Sequence, residues 1–132
     1  RGFFFFFITK AEDVIKDHFD KPLVIARTEE LVSHAIERMR KYKISQIPVV
    51  DVTGFVGSVD ESLLFQSYIT DKNTADRPLR EIMGAPFPIV PMGTPIEEVS
   101  KLFTRENAAV LIDLGNGNHH IITKYDIIGS IK

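Results

Sequence analysis

The sequence contains no cysteine, which removes disulfides, thiolate nucleophiles and Cys-based metal sites together and fits a reducing cytoplasm. The fold must therefore hold by packing alone. Neither sign of charge is in excess: 16 basic against 18 acidic side chains leave a formal net charge of -2. Without a basic field, neither nucleic acid nor an acidic membrane is an expected partner. A membrane-length hydrophobic run is also missing. The longest conspicuous one, Phe3 through Phe7 followed by Ile8, falls well short of the roughly 20 apolar residues that a bilayer requires. Thr9-Lys10-Ala11-Glu12 supplies no signal-peptide cleavage site after it. Such a run would invite aggregation if exposed, so residues 1–10 read as a tag remnant or an uncertain assignment rather than as a partner contact. No Gly-rich phosphate loop is present, and no nucleophile, base and orienting partner occur together, so catalysis has no candidate site. What is present is 44% apolar residues over 132 positions, enough for a core of ordinary domain size.

Those apolar residues fall into two copies of one pattern, and a duplication has to be sought before any motif. In the first copy, Leu31, Val32, Ala35, Ile36 and Met39 have the spacing of an amphipathic helix over Glu29 to Tyr42. A short β-branched strand, Ile47-Pro48-Val49-Val50, leads through the turn Asp51-Val52-Thr53-Gly54 to a return strand, Phe55 to Val59. Asp60 can cap the next helix, whose apolar face is assigned to Leu63, Leu64, Phe65 and Ile69.

The second copy begins with Pro88-Ile89-Val90 and a helix opened by Thr94 and Pro95, where Thr94-Pro95-Ile96-Glu97 reads as a capping box. Its buried stripe is Ile96, Val99, Leu102 and Phe103. Ala108 to Ile112 forms the strand, Asp113 to Asn118 the turn and His120 to Thr123 the return strand, and a last helix starts near Lys124. Residues 70–77 are a polar linker, and Leu79, Ile82 and Met83 suggest a short helix after it. The resulting division is 1–10 set aside, 11–21 a connecting helix, 22–69 the first repeat, 70–77 the linker and 78–132 the second repeat. A strand-helix-strand-strand-helix unit has too little surface to bury its own sheet. The pattern therefore predicts an α/β fold of two β-α-β-β-α repeats packed about a pseudo-two-fold axis, with clefts between them.

The stretch His120-Ile121-Ile122-Thr123-Lys124-Tyr125-Asp126-Ile127-Ile128 resembles the ending of a cystathionine-β-synthase-type (CBS) domain, in which apolar residues precede Thr-x-x-Asp. In the first copy, Gly57 to Leu64 places Asp60 where the Thr is expected and Leu63 where the Asp is expected. The resemblance spans about Pro22 to Ile131. More narrowly, Lys43-Ile44-Ser45-Gln46-Ile47-Pro48-Val49-Val50 and Thr123 to Asp126 are similar to the C-terminal regulatory region of cystathionine β-synthase and its bacterial relatives, where a pyridoxal-phosphate catalytic domain precedes the pair. Residues 11–19 would then lead from that domain into the module.

The resemblance implies a non-enzymatic, cytoplasmic regulatory module with no cofactor of its own. Its expected effector is an adenosyl compound, S-adenosylmethionine first and then AMP, ADP or ATP, and its expected partners are an attached catalytic domain and a second copy through the CBS helices. The alternative is a pair that has lost ligand binding and serves only dimerisation and assembly. A carboxylate such as that of Asp126 can accept from both ribose hydroxyls. The Thr123 hydroxyl and the first N–H groups of its helix can meet the 5′ part of the ligand, and Lys124 would favour a phosphate there. Ile44 and Ile47, with Gln46 and the backbone near Val49, are expected around the purine, and Ile121 and Ile122 on the facing wall. Thr123 to Asp126 is equally a plain helix-capping box that needs no ligand, and one pair of residues can serve both roles. In the first copy Asp60 would repel phosphate and Leu63 cannot hold a diol, so one good and one degraded site are expected.

Other polar residues have plainer readings. His119 and His120 are strand neighbours and point to opposite faces, which argues against a shared metal. His34 lacks a spaced partner and reads as a surface residue. The cluster Arg38 to Lys43 reads as the solvated end of a helix, where cations suit the dipole, rather than as an RNA contact.

Overall fold

A computed structural model describes residues 9–130; the Phe3 to Phe7 run lies outside them. The chain divides into two compact units, one running Val24–Phe87 and the other joining the chain before Val24 to the chain from Pro88 onward.

In the Val24–Phe87 unit, β1 (Ala26–Arg27) pairs in parallel with β2 (Gln46–Asp51), which pairs antiparallel with β3 (Gly54–Asp60). Helix α1 (Val32–Tyr42) makes the crossover between β1 and β2, and α2 (Glu61–Thr70) follows β3. Because side chains alternate across a strand, the register Ala26 to Val49 and Ile47 to Val59 sets these four on one face. That face buries Val32, Ala35 and Met39 of α1 together with Leu64, Leu79 and Ile82. Helix α1 ends where Lys43 turns left-handed (φ 56°) and the Ile44 N–H donates to the Met39 carbonyl at 3.0 Å, a common way of satisfying the last carbonyls of a helix.

The loop before α1 is tied by charge. Glu30 accepts from the Arg27 N–H at 2.8 Å and pairs with the Arg38 guanidinium, which also donates to the Ile25 carbonyl at 3.0 Å. The hydrogen bond from Arg38 is the main reason the Glu30 carboxyl is held below its ordinary value of 4.5. A carboxyl with a lowered pKa stabilises the fold above its ordinary value, and that contribution disappears as pH falls towards the folded value. Glu30→Gln is therefore expected to melt below the wild type at neutral pH, with the gap closing as the pH drops below about 4.5; melting temperature against pH for both proteins reads this directly.

In the other unit, β4 (Ile89–Pro91) runs parallel to β5 (Ala109–Gly115), which is antiparallel to β6 (Asn118–Thr123). Helices α3 (Ile96–Ser100) and α4 (Lys124–Gly129) occupy the positions of α1 and α2. The core contains Val90, Val110, Ile112 and Ile122 from the sheet, Ile96 and Val99 from α3, and Ile127 from α4. It also contains Ala11 and Ile15 from a 3-10 helix, Ala11–His18. The chain before that helix is fixed to α3 by the Ile96 N–H to the Thr9 carbonyl (2.9 Å) and the Ala11 N–H to the Thr94 carbonyl (2.8 Å).

The α/β class and the two strand-helix-strand-strand-helix repeats agree with the sequence pattern, whereas several local expectations do not. The Thr94 capping box does not form, because the Thr94 hydroxyl donates to the Pro91 carbonyl at 2.6 Å instead and α3 has no side-chain cap. Helix α3 stops at Ser100, so Leu102 and Phe103 pack on the core from the loop. On α2 only Leu64 is buried. Phe65 and Ile69 project into solvent, not inward.

Candidate functional site

The β6–α4 junction is built by the sequence Thr123-Lys124-Tyr125-Asp126. Thr123 leaves the strand in extended conformation (φ -114°, ψ 168°) and caps α4. Its hydroxyl accepts from the Asp126 N–H at 3.4 Å, while the Asp126 carboxylate reaches back through Oδ2 to the Thr123 N–H at 2.8 Å and to the Thr123 hydroxyl at 3.1 Å. Hydroxyl and carboxylate thus converge on one spot at the head of the helix, and the carboxylate side chain retains 13% of its exposure.

A third group joins them. The His18 imidazole, at the end of the 3-10 helix, lies with Nε2 2.9 Å from Asp126 Oδ1. A carboxylate can only accept, so this nitrogen donates. Beside it the buried His120 has Nε2 at 2.9 Å from the His18 carbonyl and 3.0 Å from the Lys21 carbonyl, and Nδ1 at 2.9 Å from the Ile121 N–H. Carbonyls fix Nε2 as the donor and the amide fixes Nδ1 as the acceptor, which assigns the tautomer. The two imidazole rings are tilted at 55° with centroids 4.9 Å apart.

Among the other predicted residues, Ile44, Gln46 and Ile121 keep part of their surface, and Lys124 is exposed. Ile47, Val49 and Ile122 are fully buried in the cores of their own units. Strand alternation turns the Ile47 and Ile122 side chains towards the helices and away from any ligand wall, whereas for Val49 only the backbone is expected near the purine. His34 is exposed. Arg38 belongs to the Glu30 pair, and Arg40, Lys41 and Lys43 remain at the surface. Among the described residues, no group of three or more metal-ligating side chains is placed to hold an ion, and no helix is long and apolar enough to cross a membrane.

The first copy lacks this constellation. Asp60 caps α2 by accepting from the Leu63 N–H at 2.9 Å, and Leu63, which stands where Asp126 stands in the second copy, packs against the core. The register places Gly57 opposite Val49 as His120 lies opposite Ile112. A Cβ at Gly57 would meet the Met83 sulfur at 2.4 Å, so the chain before β4 lies directly over this glycine. Ser58 and Gly84 exchange backbone hydrogen bonds there (3.1 and 2.8 Å).

A family model for the CBS domain matches residues 12–68 and again residues 79–132. The chain belongs to the CBS-domain family. It is a tandem CBS pair, the architecture of a regulatory module. Among solved structures with the same fold, a putative signal-transduction protein with CBS domains from Burkholderia ambifaria is 21% identical, with a TM-score of 0.81 and 93% of each chain covered. A CBS-domain-containing protein from Agrobacterium tumefaciens is 15% identical, with a TM-score of 0.80 and 93% of each chain covered. The CBS domain pair of protein MJ0100, in complex with 5′-methylthioadenosine and S-adenosyl-L-methionine, is 20% identical, with a TM-score of 0.76, covering 94% of this chain and 100% of that one. No curated protein sequence gives a significant match.

Thr123 and Asp126 of this CBS pair meet as the capping motif predicts, but His18 and His120 beside them were not read from the sequence. His18 is 108 residues from Asp126, beyond any local spacing rule. The only local signal was a histidine at the end of an amphipathic segment.

Proposed function

We propose that this CBS pair binds an adenosine-containing small molecule at Thr123 and Asp126 and thereby regulates an attached catalytic domain in the cytoplasm. The observation that carries the reading is the convergence of a carboxylate and a hydroxyl at the start of α4; in the proposal Asp126 accepts from the ribose diol and Thr123 meets the 5′ group. The bound S-adenosyl-L-methionine and 5′-methylthioadenosine of the MJ0100 pair support an adenosyl ligand. S-adenosylmethionine comes first on the likeness to cystathionine β-synthase, and AMP, ADP or ATP follow, with the exposed Lys124 available to a phosphate. Within this unit, the partly exposed Ile121 completes the proposed contacts. The resemblance to cystathionine β-synthase makes a pyridoxal-phosphate enzyme the expected attached domain.

A compound that binds only the folded state stabilises it by about 2.7 kcal/mol at a hundredfold excess over its Kd, which is a melting shift of several degrees for a chain of this size. Thermal scans with S-adenosylmethionine, AMP, ADP and ATP should show such a shift for at least one compound. No shift with any of them would sink the ligand reading. It would favour a second one, an assembly module that dimerises through its helices, for which the solvent-facing Phe65 and Ile69 on α2 and Tyr125 and Ile128 on α4 speak.

A further inference from the structure

The Asp126 carboxylate already accepts three hydrogen bonds, two of them at Oδ2 from Thr123 and one at Oδ1 from His18. A carboxylate has about four acceptor positions, so a ribose diol donating twice finds one too few. Something must leave. The bonds from Thr123 are part of the helix cap and connect residues three apart in sequence, whereas the bond from His18 is a side-chain contact from a distant segment, and that imidazole is a quarter exposed (26%). His120 holds His18 in place by grasping the His18 and Lys21 carbonyls on either side of the bend.

We propose that His18 is an intramolecular occupant of the ribose position, so that ligand binding displaces its imidazole from Asp126 and loosens the turn from His18 to Lys21. This rests on the adenosyl-ligand reading above. Ala11 and Ile15 remain in the core and keep the helix docked, so only its last turn moves. Occupancy of the site is thereby communicated to the segment that leads from the N-terminal helix into β1. Because a ligand acts only through its preference for one state over another, the latch lowers apparent affinity by the fraction of molecules in which it is open.

The test is calorimetric titration of the full chain with S-adenosylmethionine, 5′-methylthioadenosine, AMP and ATP, using wild type, His18→Ala and His18→Gln. His18→Ala should bind about tenfold more tightly, the gain expected from removing one competing bond to a charged group. His18→Gln, whose amide can donate to the same oxygen, should resemble the wild type. In the wild type, amide hydrogen exchange across 18–21 should accelerate at ligand saturation, a readout that does not depend on how any variant folds. Wild-type binding that is unchanged or weakened by His18→Ala, or exchange across 18–21 that slows or stays constant, overturns the latch while leaving the binding site standing. Absence of binding to both wild type and His18→Ala overturns the adenosyl reading itself, and the latch with it. Binding to His18→Ala alone would be the latch in its strongest form.

Discussion

Asp126→Ala should raise the Kd for the adenosyl ligand by about a hundredfold or more. The proposed contact is a pair of hydrogen bonds from the ribose hydroxyls to an ionised group, each worth about 1.5–3 kcal/mol, and even the lower figure, taken twice, comes to about two factors of ten. The variant also loses the reciprocal half of the α4 cap, since Oδ2 no longer accepts from the Thr123 N–H, which is expected to cost about 1 kcal/mol of stability. The two effects separate if titrations are made well below the variant's melting temperature and alongside Asp126→Asn. Asparagine keeps one oxygen for the cap but loses the charge, so it should fold nearly as well as the wild type and still bind poorly. Undiminished affinity in Asp126→Ala would remove this carboxylate from the site. The same substitution strands the His18 donor. Asp126→Ala and His18→Ala therefore have opposite expected signs on affinity although they break the same bond, a pattern that a purely structural role for the pair would not produce.

The parts of this molecule that could be read from its sequence are those in which the information is local. The strand pairs follow from alternation within short apolar runs: Ile47 and Val49 face one way, and Ile122 repeats this in the second copy. Asp60 and Thr123 stand immediately before the helices they cap. The failures also have local causes. Thr94 has the sequence of a cap, but its hydroxyl finds a nearer acceptor in the Pro91 carbonyl. Phe65 and Ile69 continue the apolar pattern but face solvent, because on α2 only Leu64 and part of Leu63 turn towards the core. Strand alternation also turns the side chains of Ile47 and Ile122 into the cores of their own units, since a residue that builds the core cannot also line a site on the opposite face. Partners such as His18 for Asp126 were invisible for a different reason: they depend on which segment the fold returns to which sheet.

Ile15→Ala tests that return most sharply. Residues 11–19 have the composition of a solvated connector, with Glu12, Asp13, Lys16 and Asp17 around a few apolar positions. A connector would tolerate loss of one side chain within about 0.5 kcal/mol, as exposed positions usually do. In the structure Ile15 is fully buried and packs in the cluster formed by Val90, Ile96, Val99, Val110, Ile112, Ile122 and Ile127. Backbone bonds from Ala11 to Thr94 and from Ile96 to Thr9, with the Gly93 N–H donating to Glu12 at 2.8 Å, keep the segment from relaxing into the space left behind. Truncation there should cost about 2–5 kcal/mol, a large part of the total stability of about 5–15 kcal/mol typical of a small protein. Lys16→Ala, at the neighbouring exposed position, should change little. Urea unfolding of the two variants decides the matter: if both lie within about 0.5 kcal/mol of the wild type, the helix does not belong to the core. His18 would then have no rigid support from which to reach Asp126.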